Sequence, residues 1–198
     1  MTIAIIGAGA IGSAIARQLA RHGIPASIAN SRGPQSLQAL TAELGPHIRA
    51  VSIDQAAQAE LVIVAVNWGR LPDALRALGP WNGRILVDAN NAIEGGSFKA
   101  AELGGRASSA VVAELAPGAR VVKAFNHLLA AVLSGDPQAE GGRRVLFLSG
   151  EDAAAKATVA ELITRLGFAA VDLGDLDQGR AAQFPGGALP VLNLVKFG

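Results

Sequence analysis

The chain has no cysteine, which excludes disulfides, thiolate metal sites and cysteine nucleophiles. It also lacks tyrosine, so the tyrosine–lysine dyad of many carbonyl reductases cannot be built. Histidine occurs three times, at His22, His47 and His127, and no two share a metal-ligand spacing; no metal site is expected. Charge is scarce and balanced, 17 basic against 16 acidic residues for a net of +1. Such a chain has no basic field to attract nucleic acid. No apolar run approaches the roughly 20 residues of a membrane span. The N-terminus enters a strand pattern at once, without the basic segment of a secretory signal. The expectation is a soluble, cytoplasmic protein with neither nucleic acid nor membrane as partner.

What the chain has in quantity is aliphatic surface: 51% of its 198 residues are hydrophobic, enough for one good core. Strand-like runs recur at residues 2–6, 26–29, 48–51, 61–66, 84–88, 120–124, 143–149 and 169–172. Helical patterns lie between several of them. Ile11, Ile15 and Leu19 repeat at four-residue steps, with Gly23 as the stop. Pro34 opens a second helix with Leu37, Leu40 and Leu44 as its stripe, and residues 153–166 form another that ends at Gly167. Strands apolar on both faces, alternating with helices, predict a doubly wound, mostly parallel α/β sheet. The segment 128–142 reads as a weak boundary with turn signals at its end. One domain over 1–198 is expected, with a C-terminal extension rich in Gly and Pro.

The pattern Gly7-x-Gly9-x-x-Gly12 is weak by itself in a chain with 24 glycines. Its context makes it informative, because it follows the first strand and opens the first strong helix. There Gly7 permits the tight turn, Gly9 the approach of a pyrophosphate, and Gly12 the packing of helix on strand. The helix start around Ala10 and Ile11 offers free N–H groups to phosphate. Asn30, Ser31 and Arg32 stand where NAD-binding chains carry an acidic residue for the ribose 2′-hydroxyl. Asn30 removes the repulsion of a 2′-phosphate, and Ser31 and Arg32 can bind one. The cofactor expected is NADP.

In open α/β sheets, ligands bind beyond the carboxyl ends of the strands. Val66, Asn67 and Trp68, then Asn90 and Asn91, then Phe125, Asn126 and His127 follow three successive strands there. No nucleophile, base and acid spacing is present. His127 and Lys123 are the candidates for a proton-handling role, Lys123 lying within its strand. The residues point to hydride transfer by positioning, with no dedicated catalytic side chain.

The stretches GAGAIGSAIARQLARHG, NSRGP, VVKAFNH, GRRVLFLSGEDAAAK and QFPGGALPVLNLVK together resemble the NADPH-dependent coenzyme F420 reductase family over nearly the whole chain. The resemblance implies a Rossmann NADP domain, about 1–127, and a small C-terminal lobe, about 128–198, often in a homodimer. It implies hydride transfer between NADP and C5 of a deazaflavin, the coenzyme F420, as small-molecule acceptor. Carried over, Ser31 and Arg32 hold the 2′-phosphate. Phe125, Asn126 and His127, with Pro185, Gly186 and Gly187 of the tail, edge the acceptor pocket. Two alternatives stand beside this: the same mechanics with a flavin, quinone, small imine or carbonyl acceptor, or a non-enzymatic NADP(H)-sensing module.

Overall fold

The first strand shows how the sheet is built. In β1 (Ile3–Ile6), Ile3 and Ile5 enter one apolar core while Ala4 and Ile6 enter another, the alternation a strand imposes on its neighbours. The computed structural model describes residues 1–95 and 99–198. After β1 come α1 (Ala10–Arg21), β2 (Ala26–Ala29), α2 (Gln38–Leu44), β3 (Ile48–Ala50), α3 (Ile53–Ala56), β4 (Leu61–Val64), α4 (Leu71–Leu78), β5 (Ile85–Asp88), α5 (Ser108–Leu115) and β6 (Arg120–Ala124). These six strands are parallel and lie in the spatial order 3-2-1-4-5-6. The order reverses at β1, which places a ligand crevice above the carboxyl ends of β1 and β4. The fold is the expected doubly wound, Rossmann-like α/β sheet.

β4 and β5 divide their side chains as β1 does: Leu61, Ile63, Ile85 and Val87 face one core, and Val62, Val64 and Leu86 the other. Each large side chain fully buried this way contributes about 1.5–3 kcal/mol. The pairing thus explains why these strands read as continuous apolar runs. α1 packs Ile15 and Leu19 into the first core and stops at Gly23, whose φ is +63°.

The second half departs from the parallel pattern. α6 (Ala130–Ser134) and the short β7 (Gln138–Ala139) lead to β8 (Gly142–Gly150), which pairs antiparallel with β6. Then α7 (Ala153–Arg165) and β9 (Ala169–Asp172) follow, β9 parallel to β8. The tail returns as β10 (Val195–Lys196), antiparallel to β8. The segment expected as a weak boundary is instead clamped to α1. The buried Gln18 amide donates to the carbonyls of Leu133 and Gly135, both at 2.6 Å, and Arg21 donates to those of Ser134 and Gly135. Two smaller differences have local causes. Pro34 opens a 3-10 turn, Pro34–Leu37, before α2, and only Leu37 of the expected stripe is buried. The fourth strand ends at Val64 because the Val66 amide is taken by the Asn90 side chain instead of the sheet.

Candidate nucleotide-binding site

Gly7 and Gly12 are required by the protein itself. Gly7 has a φ of +103°, and a Cβ there would overlap the Ala65 carbonyl; one on Gly12 would overlap the carbonyl of Gly7. Gly9 is different. Its φ of −76° suits any residue, and a Cβ on it would meet nothing within 4 Å. Space kept open at the start of α1, with no acidic residue in the first turn, fits a pyrophosphate resting on free N–H groups at the positive end of a helix. The loop is tied to the second strand by the Gly7 amide, which donates to Ala29 O at 2.9 Å.

At the end of β2, the Asn30 side chain organises the turn instead of reaching outward. Its Oδ1 accepts from the Arg32 amide at 2.9 Å and from Ser36 Oγ at 3.1 Å. Ser31 and Arg32 are exposed. Neither side chain has a hydrogen bond or ion pair among the described residues, so a hydroxyl and a guanidinium are available to a phosphate.

Beyond the carboxyl ends of β1, β4 and β5 lies a cleft of about 400 Å³. Of the residues expected at the site, Gly9, Ala10, Ile11, Val66, Asn67, Trp68, Asn90 and Asn91 line it together. Ala65, Gly69, Ala89, Ile93, Glu94 and Gly95 also line it. Ala89 belongs to the strand-end segment that also holds Asn90 and Asn91, and Ala65 to the expected strand 61–66; sequence reasoning passed over Gly69, which follows Trp68, and Ile93, Glu94 and Gly95, which lie beyond Asn91. Asn90 Oδ1 accepts from the Val66 amide at 2.7 Å, so β4 and β5 present one wall.

Beneath that wall is a buried polar cluster. Asp88 Oδ1 accepts from the Asn90 amide at 3.0 Å and from its side-chain nitrogen at 2.8 Å. Asp88 Oδ2 accepts from Ser109 Oγ at 2.9 Å and Lys123 Nζ at 3.0 Å. Lys123 Nζ donates further to the Asn90 carbonyl and to Ser108 Oγ. The expectation of Lys123 as a general acid is corrected here. Its ammonium has three donors, all engaged inside the protein, and its side chain is 4% exposed.

The residues expected at an acceptor pocket fall outside the cleft lining. Phe125 is fully buried in the core and His127 is 2% exposed, its ring edge-on to Phe147 at 4.9 Å. Burial pushes the His127 imidazole down to about 4. Neither ring nitrogen has a hydrogen-bond partner. A buried neutral ring does not present itself to a ligand in the crevice, so His127 is not a surface acid–base group in this structure. Asn126 instead anchors the tail: its Nδ2 donates to Ala182 O at 2.6 Å and Asn91 Oδ1 at 3.1 Å. Asn91 Oδ1 also accepts from the Phe184 amide at 3.1 Å, and His127 O accepts from the Val191 amide at 2.7 Å. These bonds hold the loop of Pro185, Gly186 and Gly187 beside the ends of β5 and β6. Among the described residues no His, Asp and Glu side chains gather as a metal site, and no helix is long and apolar enough to cross a membrane.

The sequence model of the family described as NADP oxidoreductase, coenzyme F420-dependent, matches residues 2–92. A hypothetical protein of Sinorhizobium meliloti has a similar solved structure, with a TM-score of 0.94 and 53% identity over 99% of this chain and 96% of that one. So has a candidate F420-dependent NADP reductase of Arthrobacter sp. FB24, with a TM-score of 0.78 and 32% identity over 92% of this chain and 88% of that one. The metalloreductase STEAP3 of Rattus norvegicus is 32% identical over 184 residues, 91% of this chain and 35% of its own length. The chain thus spans about a third of the curated relatives it matches.

Proposed function

The chain belongs to the family of coenzyme F420-dependent NADP oxidoreductases, and from that premise we propose that it moves a hydride between NADP(H) and a deazaflavin bound against the nicotinamide. The observation that carries this reading is the joint between crevice and tail. Asn91 lines the cleft and accepts from the Phe184 amide, so a nicotinamide site and the Pro185-Gly186-Gly187 loop would share one side chain. When bound, NADPH supplies the hydride, which carries both electrons. The protein's part is to bind and orient: Gly9 and the start of α1 for the pyrophosphate, Ser31 and Arg32 for the 2′-phosphate, and Val66, Asn67, Trp68, Asn90 and Asn91 for the nicotinamide half. Residues 1–127 form the NADP half in this reading and residues 128–198 complete the acceptor side. No side chain need move a proton at the reacting carbon, because the cofactor rings carry the chemistry.

A second reading is favoured by one observation. The deazaflavin's acidic tail calls for a basic rim, but near the tail loop Arg180 bridges Asp177 at 3.3 Å and Lys123 is buried. A flavin, quinone, imine or carbonyl acceptor needs no such rim, and STEAP3 is a metalloreductase. The deciding experiment follows the visible absorbance of oxidised deazaflavin mixed with protein and NADPH, with NADH in parallel. Bleaching with NADPH alone is the expected result. NADPH binding without bleaching would overturn the deazaflavin as acceptor and leave the second reading.

A further inference from the structure

Two charged side chains lie where the apolar sheet should exclude them. Asp88 closes β5 with 0% exposure, and Lys123 stands inside β6 with 3%. The parallel register sets them directly opposite each other. A buried ion pair is weak evidence of a stability role, since apolar residues of similar volume often do as well. Its hydrogen bonds say more. Every donor of Lys123 and both oxygens of Asp88 are engaged, and three of those six bonds converge on Asn90: on its amide, its carbonyl and its side-chain nitrogen. That leaves Asn90 Oδ1 with one direction, toward the Val66 amide. Val66 in turn follows Ala65, whose carbonyl faces Gly7 so closely that a Cβ there would overlap it.

We infer that Lys123 and Asp88 are positioning residues for the nicotinamide half of the crevice. They form a polar strut that runs across the carboxyl ends of β6, β5 and β4 and fixes the wall at Val66 through Asn90. The strut reaches the wall at β4 and β5 but not the end of β2, where Ser31 and Arg32 would meet the adenosine phosphate. Its loss is therefore felt at one end of the dinucleotide only. The inference rests on NADP(H) occupying this crevice and is independent of which acceptor the protein uses.

The test compares NADPH with adenosine 2′,5′-bisphosphate, which carries the adenine half and no nicotinamide. The variant is Asp88→Leu with Lys123→Met, which removes the strut and leaves no charge buried without a partner. NADPH, followed by its fluorescence, should bind on the order of tenfold more weakly, the value of one well-aligned hydrogen bond. The bisphosphate, followed by calorimetry, should bind as it does to the wild type. Equal weakening of both ligands, or of neither, would overturn the strut. Should the double variant fail to fold, Ser109→Ala removes one donor to Asp88 and leaves the ion pair. It should weaken NADPH by about threefold with the bisphosphate unchanged, and equal affinities there too would overturn the inference. Wild-type protein that binds the bisphosphate but not NADPH would overturn the proposed function and the strut with it.

Discussion

One methyl group, added in turn to three glycines of a single loop, should separate folding from binding. Gly7→Ala must hold an alanine at a φ of +103° and press its Cβ into the Ala65 carbonyl. The backbone strain costs about 1–3 kcal/mol and the collision a similar amount, for a loss of about 4 kcal/mol. In a chain of this size each kcal/mol shifts Tm by about 2–4 °C, so the melting point should fall by about 10 °C. Gly12→Ala lies inside α1, where alanine ordinarily gains about 1 kcal/mol over glycine. Overlap with the Gly7 carbonyl outweighs that gain, leaving a net loss of about 1–2 kcal/mol. Gly9→Ala is the discriminating case. Its φ of −76° is ordinary and its Cβ meets nothing within 4 Å, so Tm should stay within about 2 °C of wild type. Its methyl occupies the space kept for the pyrophosphate, and NADPH affinity should fall by about 30-fold or more, roughly 2 kcal/mol. Thermal melts and NADPH fluorescence titrations on the three variants suffice. A Gly9→Ala protein that binds NADPH like the wild type, or that melts as low as Gly7→Ala, refutes the assignment of that space to phosphate.

Two further predictions concern charge. Arg32→Glu replaces an unpaired, exposed guanidinium with a carboxylate that repels a 2′-phosphate, and should shift the NADPH to NADH affinity ratio toward NADH by at least about tenfold; an unchanged ratio sinks the 2′-phosphate assignment. His127 gives a pH signature. Its ring drops from 6.5 to about 4 on burial, so above pH 6.5 both folded and unfolded chains hold it neutral and it costs nothing. As pH falls from 6.5 to 4 the unfolded chain takes up a proton that the folded one refuses, and stability declines by up to about 3 kcal/mol. Melting curves across that range should flatten in His127→Phe; an identical slope in the variant would show that the ring is not the cause.

Much of the sheet was legible because the strands are short, apolar and bounded by clear punctuation. Residues 26–29, 120–124 and 169–172 end where the sequence suggested, since a proline, glycine or asparagine stands within two residues of each end: Pro25 and Asn30, Gly118 and Asn126, Gly167 and Gly174. The direction of β8 was not legible. Its nine residues, GRRVLFLSG, contain nothing that distinguishes antiparallel pairing with β6 from one more parallel crossover. Along the crevice, strand-end logic found Val66 through Trp68, Asn90 and Asn91. It misjudged the segment after β6 for a physical reason: β8 and the returning tail cover that end, so His127 is inside the protein. The pair of Asp88 and Lys123 left a signal that could have been used. A lysine in one apolar strand and an aspartate closing its neighbour are both expensive to bury alone, and adjacent parallel strands bring them level.

Asn91 carries one more consequence. The residue lines the cleft, and both ends of its side-chain amide are engaged beyond it, the nitrogen by the carbonyl of Asn126 at 2.8 Å and the oxygen by the amides of Asn126 and Phe184. A ligand in the cleft and one on the tail loop would therefore meet at the same joint. Linkage is reciprocal: if a nucleotide changes the affinity for a second ligand by some factor, that ligand changes the nucleotide's affinity by the same factor. The order in which two ligands arrive would then alter neither the sum of their binding energies nor the size of the coupling, and Asn91 would be the residue both ligands share.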